Sequence, residues 1–176
     1  MATAVMTMYK CTSTNAGTET SCSNHPCFLN ADVHSTDTAS YAIRVPQAPA
    51  DSDTYSYEVW ISWKCTTAPD NQCTAFKFWG SSSQPDDPTN KVTMYAGTNS
   101  SGVTPVDTSS SYATSTVHGN YYSEGTALSL LIEPGDSKID AVGEYVRYLV
   151  LQIKVEYGAA QGNLTTMVLN LSYEES

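Results

Sequence analysis

Tyr148-Leu-Val-Leu-Gln-Ile-Lys-Val-Glu-Tyr157 is the stretch whose reading decides the fold. Leu149, Leu151, Ile153, Val155 and Tyr157 fall on one side of an extended chain. Tyr148, Gln152, Lys154 and Glu156 fall on the other, with Val150 the one apolar exception. A period of two sends successive side chains to opposite sheet faces, so the run reads as a strand with one core face and one largely wet face. Just downstream, Met167, Leu169, Leu171 and Tyr173 alternate with Thr166, Val168, Asn170 and Ser172. Gly158 and Gly162 bracket the residues between the runs, and Asn163 follows. That is turn chemistry at hairpin length, and the spacing predicts a C-terminal β-hairpin over 144–173.

The same alternation recurs upstream. Residues 4–11 read as a first strand, with Val5, Thr7, Tyr9 and Cys11 on one side and Met6 and Met8 on the other. Residues 40–45 read as a strand ended by Pro46, because proline cannot donate to a ladder. In 57–64, Tyr57, Val59, Ile61 and Trp63 alternate with Glu58, Trp60, Ser62 and Lys64, and a tryptophan on each face implies that both faces are covered. Residues 75–79, 91–96 and 126–133 complete the set, and 137–142 is expected to make one helical turn ended by Gly143. Polar, Gly- and Ser-bearing stretches over 12–30, 80–90 and 98–122 separate the runs as loops and short edges. About seven to nine short strands between turn-rich loops predict an all-β chain, an antiparallel β-sandwich or jelly-roll-like fold. A length of 176 residues suits one domain over 1–176, with 1–10 an N-terminal strand and 174–176 an acidic tail.

Composition narrows the function. Charged residues are 15% of the chain, below the usual ~25%, and twelve tyrosines stand against three phenylalanines. The net charge is −10 with only eight basic residues, so no basic stripe exists to neutralise phosphates or anionic lipid. Nucleic-acid partners and membrane insertion are therefore not expected, and the apolar run 127–132 is far shorter than a bilayer span. The N-terminus shows no basic n-region or apolar h-region, so no signal peptide is visible.

The five cysteines are Cys11, Cys22, Cys27, Cys65 and Cys73. All are disulfide candidates, and one is left over if the others pair. Cys65 and Cys73 flank a turn, and a bond across its mouth would contribute roughly 2–3 kcal/mol through loop closure. Cys22, His25 and Cys27 form a weak zinc alternative, with spacing unlike a common finger; disulfides or buried free thiols are the plainer readings. Asp51, Asp53, Asp86, Asp87, Asp136, Asp140 and Glu144 lack a calcium-loop pattern and read as solvated loop carboxylates. The histidines sit in polar loops outside any nucleophile motif, and no phosphate-cradling glycine spacing is present. No catalytic residue and no cofactor is expected.

The remaining hint is aromatic. Trp79, Tyr95, Tyr112, Tyr121 and Tyr122 fall on outward faces or in loops, where aromatics anchor interfaces or stack on sugars, unless they only cover a second sheet face. Val5, Met6 and Met8 lie in a first strand whose residues 2–8 hold no charge and no proline to protect an edge. These features point to a non-enzymatic structural or assembly subunit, self-associating or contacting other subunits on a virion exterior as decoration, spike or tail component. An extracellular pilus-like filament with strand exchange is the first alternative, and a carbohydrate-binding module with a glycan partner is the second. Far-UV circular dichroism is expected to show less than about a fifth helix, against a usual third; a larger helical signal would overturn the all-β reading.

Overall fold

The computed structural model describes residues 3–12, 18–22, 27–31, 33, 40–80, 91–99, 116–117, 126–161 and 168–176. Among them are ten strands and no α-helix: β1 (Val5–Thr12), β2 (Thr18–Ser21), β3 (Thr54–Tyr55), β4 (Val59–Thr67), β5 (Cys73–Gly80), β6 (Val92–Asn99), β7 (Thr116–Val117), β8 (Leu128–Ser129), β9 (Tyr145–Val155) and β10 (Leu169–Glu175). They make two antiparallel sheets. The larger runs β2-β1-β4-β9-β6-β7, with β3 also on β9, and the smaller runs β10-β5-β8.

β9 is the axis of the larger sheet. Its alternation places Leu149, Leu151, Ile153 and Val155 on one face, and β4 and β6 flank it in register, Ile61 opposite Leu149 and Met94 opposite Ile153. That face joins Val59, Ile61 and Trp63 of β4 to Phe76 and Phe78 of β5 in one buried cluster, so the two sheets share a core. The Trp63 and Phe78 rings lie 6.3 Å apart across it. Each aliphatic side chain buried there stabilises the fold by roughly 1.5–3 kcal/mol relative to exposure.

The expected C-terminal hairpin is not formed. β9 lies in the larger sheet, while β10 pairs with β5 in the smaller one, from Leu169 opposite Gly80 to Glu175 opposite Cys73. Leu169, Leu171 and Tyr173 still pack on the common core. Alternation specifies which side chains turn inward, and two rows facing each other across a core satisfy it as well as two rows side by side. Gly162, Asn163 and the rest of 162–167 lie outside the described residues.

Three shorter expectations also change. Residues 40–45 are irregular rather than a strand, although Ile43 and Val45 pack on the core. Of 126–133, only Leu128–Ser129 forms a strand, with Ile132 bridging singly to Val146. The helical turn expected over 137–142 is absent, because Ile139 pairs with Cys73 through both backbone hydrogen bonds, 2.8 and 2.9 Å. Glu144 Oε2 takes the amides of Asp140 and Ala141 at 2.6 and 2.9 Å, which fixes this segment as a turn.

Two of the sheets' irregularities bear directly on the core. Between β3 and β4 the Tyr57 amide turns away to Leu29 O, and the Ser56 hydroxyl accepts the Ile153 amide at 3.1 Å, repairing the ladder there. The Ser56 carbonyl is then free for the Gln152 side-chain amide at 2.8 Å, deep in the protein. In β5, Phe76 and Phe78 point inward, so plain alternation would turn Thr74 inward and Cys73 outward. Instead the register with β10 shifts between Ser172 and Glu174, Ala75 sits at φ 54°, and Cys73 is fully buried.

Ala75 is exposed and holds the left-handed conformation that costs an L-residue roughly 1–2 kcal/mol. Ala75→Gly removes that strain and incurs part of it back as chain entropy, so a net gain of about 0.5–1 kcal/mol is expected. The check is an upward shift of the urea midpoint at unchanged slope; a lower midpoint would contradict it.

Candidate binding face of the larger sheet

Residues opposite one another in an antiparallel pair share a face. Tyr9 pairs with Ser62 and Ser21, Cys11 with Trp60 and Glu19, and Lys64 with Thr7 and Tyr145. These residues, with Tyr148, Val150 and Gln152 of β9, make the side of the larger sheet that faces away from the common core. At one end Trp60, Val150 and Cys11 are fully buried, with Tyr148 packed on them. The Trp60 and Tyr148 ring centres are 5.3 Å apart, and those of Tyr145 and Tyr148 are 6.4 Å apart. The Trp60 indole donates to Glu58 Oε2 at 2.9 Å. At the other end the half-buried Lys64 pairs with Glu19 and holds its ammonium 5.4 Å from the Tyr9 ring centre.

Burial and neighbouring groups set the ionisation of this face. Burial pushes the Tyr148 phenol up to about 12, with Cys11 and Tyr145 adding to it. Burial raises Tyr145, and the Glu133 carboxylate raises it further. Burial lifts the Cys11 thiol to about 11 against the opposing Ser62 hydrogen bond. The hydrogen bond that Lys64 donates to Glu19 raises Lys64 and keeps it charged. Near neutral pH the Tyr145 and Tyr148 phenols are therefore neutral, the Cys11 thiol is protonated and Lys64 is charged beside Glu19. Packing and stacking are the contacts that neutral aromatic groups offer.

An acidic rim lies beside it. One carboxylate oxygen from each of Glu133, Asp136 and Glu144 falls within 4.8 Å of the others. Glu144 already caps the 139–144 turn, and Asp140 is held by Lys138. Burial raises the Glu133 carboxyl, and the nearby Asp136 and Glu144 charges raise it further. The three oxygens are fewer than the six or more a hard cation takes, so water or further ligands would have to complete any coordination. Asp136 also lines a shallow groove of about 360 Å³ with Phe76, Lys77, Leu130, Leu131 and Ile132.

The residues singled out in the sequence are dispersed. Val5 is 48% exposed, whereas Met6 and Met8 are half-buried and pack on the common core. Trp79 is half-buried on the far side of β5, and Tyr95 sits in β6 opposite Gln152 and Val117. Tyr112, Tyr121, Tyr122 and His25 lie outside the described residues. Cys11, Cys22, Cys27, Cys65 and Cys73 are free thiols in this structure, so the expected 65–73 bond is not formed in it. Asp51 serves its own turn, accepting from the Gln47 and Ala48 amides. Tyr9, Glu19, Lys64, Tyr145 and Tyr148 were not anticipated as a group. The alternation around β9 does place Tyr148 away from the core, but the Glu19–Lys64 pairing depends on strand order, which a local pattern does not carry.

Comparison with protein-family models, with curated proteins and with solved structures finds no match to this chain in any of the three.

Glu133 yields a pH prediction. A carboxyl whose folded pKa is raised disfavours the fold only once it ionises, so its stabilising protonation is present below the ordinary Glu range and is lost as pH rises through the folded pKa. Glu133→Gln is expected to raise the melting temperature at pH 7 and to lose that advantage below about pH 4. Calorimetry across that range checks it; an equal effect at both ends would contradict it.

Proposed function

We propose that this chain is a non-enzymatic β-sandwich subunit that is built into the exterior of a virion, as a decoration, spike or tail component, or into a similar extracellular particle. The observation that carries the reading is the half-buried aromatic face of Tyr9, Tyr145 and Tyr148 around a self-neutralised Lys64–Glu19 pair. Protein interfaces favour such surfaces, rich in Tyr and Trp with their charge at the rim. The edge of β1 adds to it. β2 covers only Tyr9–Thr12, and the Cys22 amide reaches Met8 O, so 5–7 extends past the described β2 with Val5 outward. A pilus-like filament with strand exchange fits less directly, since β1 is paired along Val5–Cys11 with β4 of its own chain.

The test is sedimentation and negative-stain microscopy of the full chain, alongside Val5→Glu and Tyr145→Glu variants with unchanged circular dichroism. Self-association is expected, weakened about tenfold or more by either charge, the scale of a modest interface hot spot. A wild-type chain that stays monomeric at high concentration would overturn the assembly reading, and glycan binding by that monomer would favour the carbohydrate-binding alternative.

A further inference from the structure

We propose that Cys65 and Cys73 are a dithiol that closes to a disulfide across the arch between the two sheets, by exchange with a small disulfide of the glutathione class. The pair is defined first by strand phase. Cys65 follows Val59, Ile61 and Trp63 on the core face of β4. Cys73 opens β5 in the other sheet, and the shift at Ala75 turns it onto the core face instead of outward. Residues 68–72 carry the chain from one sheet to the other between them. Both thiols belong to the same buried cluster, and Cys65 lies within charge range of Cys73.

One short segment fixes both backbones. The Cys65 amide donates to Glu144 O at 2.8 Å, and the Gly143 amide donates to Cys65 O at 2.9 Å. Cys73 exchanges hydrogen bonds of 2.8 and 2.9 Å with Ile139. The ends of β4 and β5 are thereby held on a single six-residue span, 139–144, at the mouth of the arch. Pairing with Cys11 is disfavoured by position, because Cys11 lies on the opposite face of the larger sheet, hydrogen-bonded to Ser62.

The chemistry balances in two displacements. A thiolate of one cysteine attacks the small disulfide, forming a mixed disulfide and releasing one small thiol. The second thiolate then attacks the protein sulfur, closing Cys65–Cys73 and releasing the other small thiol. Two protein thiols are oxidised, one small disulfide is reduced, and the two protons leave with the released thiols. Burial raises both thiols, Cys73 to about 11, so the nucleophilic form is scarce once the core has packed. Closure therefore belongs to folding, before the arch is sealed.

Tryptic cleavage after Lys64 and Lys77 releases both cysteines in one peptide, 65–77. The full chain, reduced and unfolded, is refolded in mixed reduced and oxidised glutathione, blocked with iodoacetamide and mapped without reduction. The proposal expects peptide 65–77 unalkylated and two hydrogens lighter than its dithiol form. It also expects the oxidised protein to unfold at a higher denaturant midpoint than the reduced protein, a difference abolished in Cys73→Ser. Peptide 65–77 carrying two alkyl groups, or either cysteine linked to Cys11, Cys22 or Cys27, would overturn it. The mapping uses wild-type protein alone, so it decides even if the serine variant fails to fold.

Discussion

The burial of β9 on both faces is the constraint on which the rest of the structure depends. Its core row, Leu149 to Val155, joins the sheets. Its opposite row is closed over as well, with Val150 against Trp60 and Cys11, and Gln152 fully buried. A strand covered on both sides must satisfy any polar side chain it carries within the protein, because an unmatched buried polar group costs about 1–3 kcal/mol. The Gln152 amide nitrogen meets this by taking the Ser56 carbonyl. That carbonyl is available because the Ser56 hydroxyl has taken over the Ile153 amide. The break between β3 and β4 is thus tied to a single buried glutamine. Gln152 Oε1 is left without a hydrogen-bond partner among the described residues.

Strand identity and inward phase are legible in this chain because both are local. The alternations in 4–11, 57–64 and 91–96 correspond to β1, β4 and β6, and the two tryptophans of β4 do mark two covered faces. Strand pairing is not local, and the 144–173 run shows why. Nothing in Leu149, Leu151 and Ile153, or in Leu169, Leu171 and Tyr173, says whether the rows lie beside or across from each other; β4 and β6 already occupy both edges of β9. Propensity also misleads at 40–45, where Ile43 and Val45 reach the core from irregular backbone. For the binding face, single residues such as Tyr148 can be phased from sequence, but the meeting of Glu19 with Lys64 follows from β2-β1-β4 order alone.

The shift at Ala75 shows how one strained residue couples distant parts. Without it Cys73 would face outward, and its pairing with Ile139 would lose its place in the core. The same shift brings the Phe76 ring 5.4 Å from that of Tyr173. The Tyr173 hydroxyl donates to Ala4 O at 2.9 Å, and Glu175 accepts the Ala4 amide at 3.1 Å, so the first strand is tied to the last at this corner. Strain of this kind persists only where surrounding contacts over-determine it. Here the arch, the 139–144 span and both ends of the described chain all converge on it.

Charge placement bears on how such a subunit would meet its neighbours. The chain carries a net −10, yet the aromatic face holds one balanced pair, while Glu133, Asp136 and Glu144 gather at its rim. Two like-charged copies repel, but screening confines that repulsion to about 8–10 Å in physiological salt. A contact centred on Tyr145 and Tyr148 keeps the cost of desolvating charge low, since phenols with raised pKa values carry none near neutrality. A contact centred on the rim would instead press carboxylates together, where burial and the neighbouring charges already raise the Glu133 carboxyl. In the proposed assembly, electrostatics thus disfavours approach through the rim, and the half-buried phenols of Tyr145 and Tyr148 offer a contact that adds no charge.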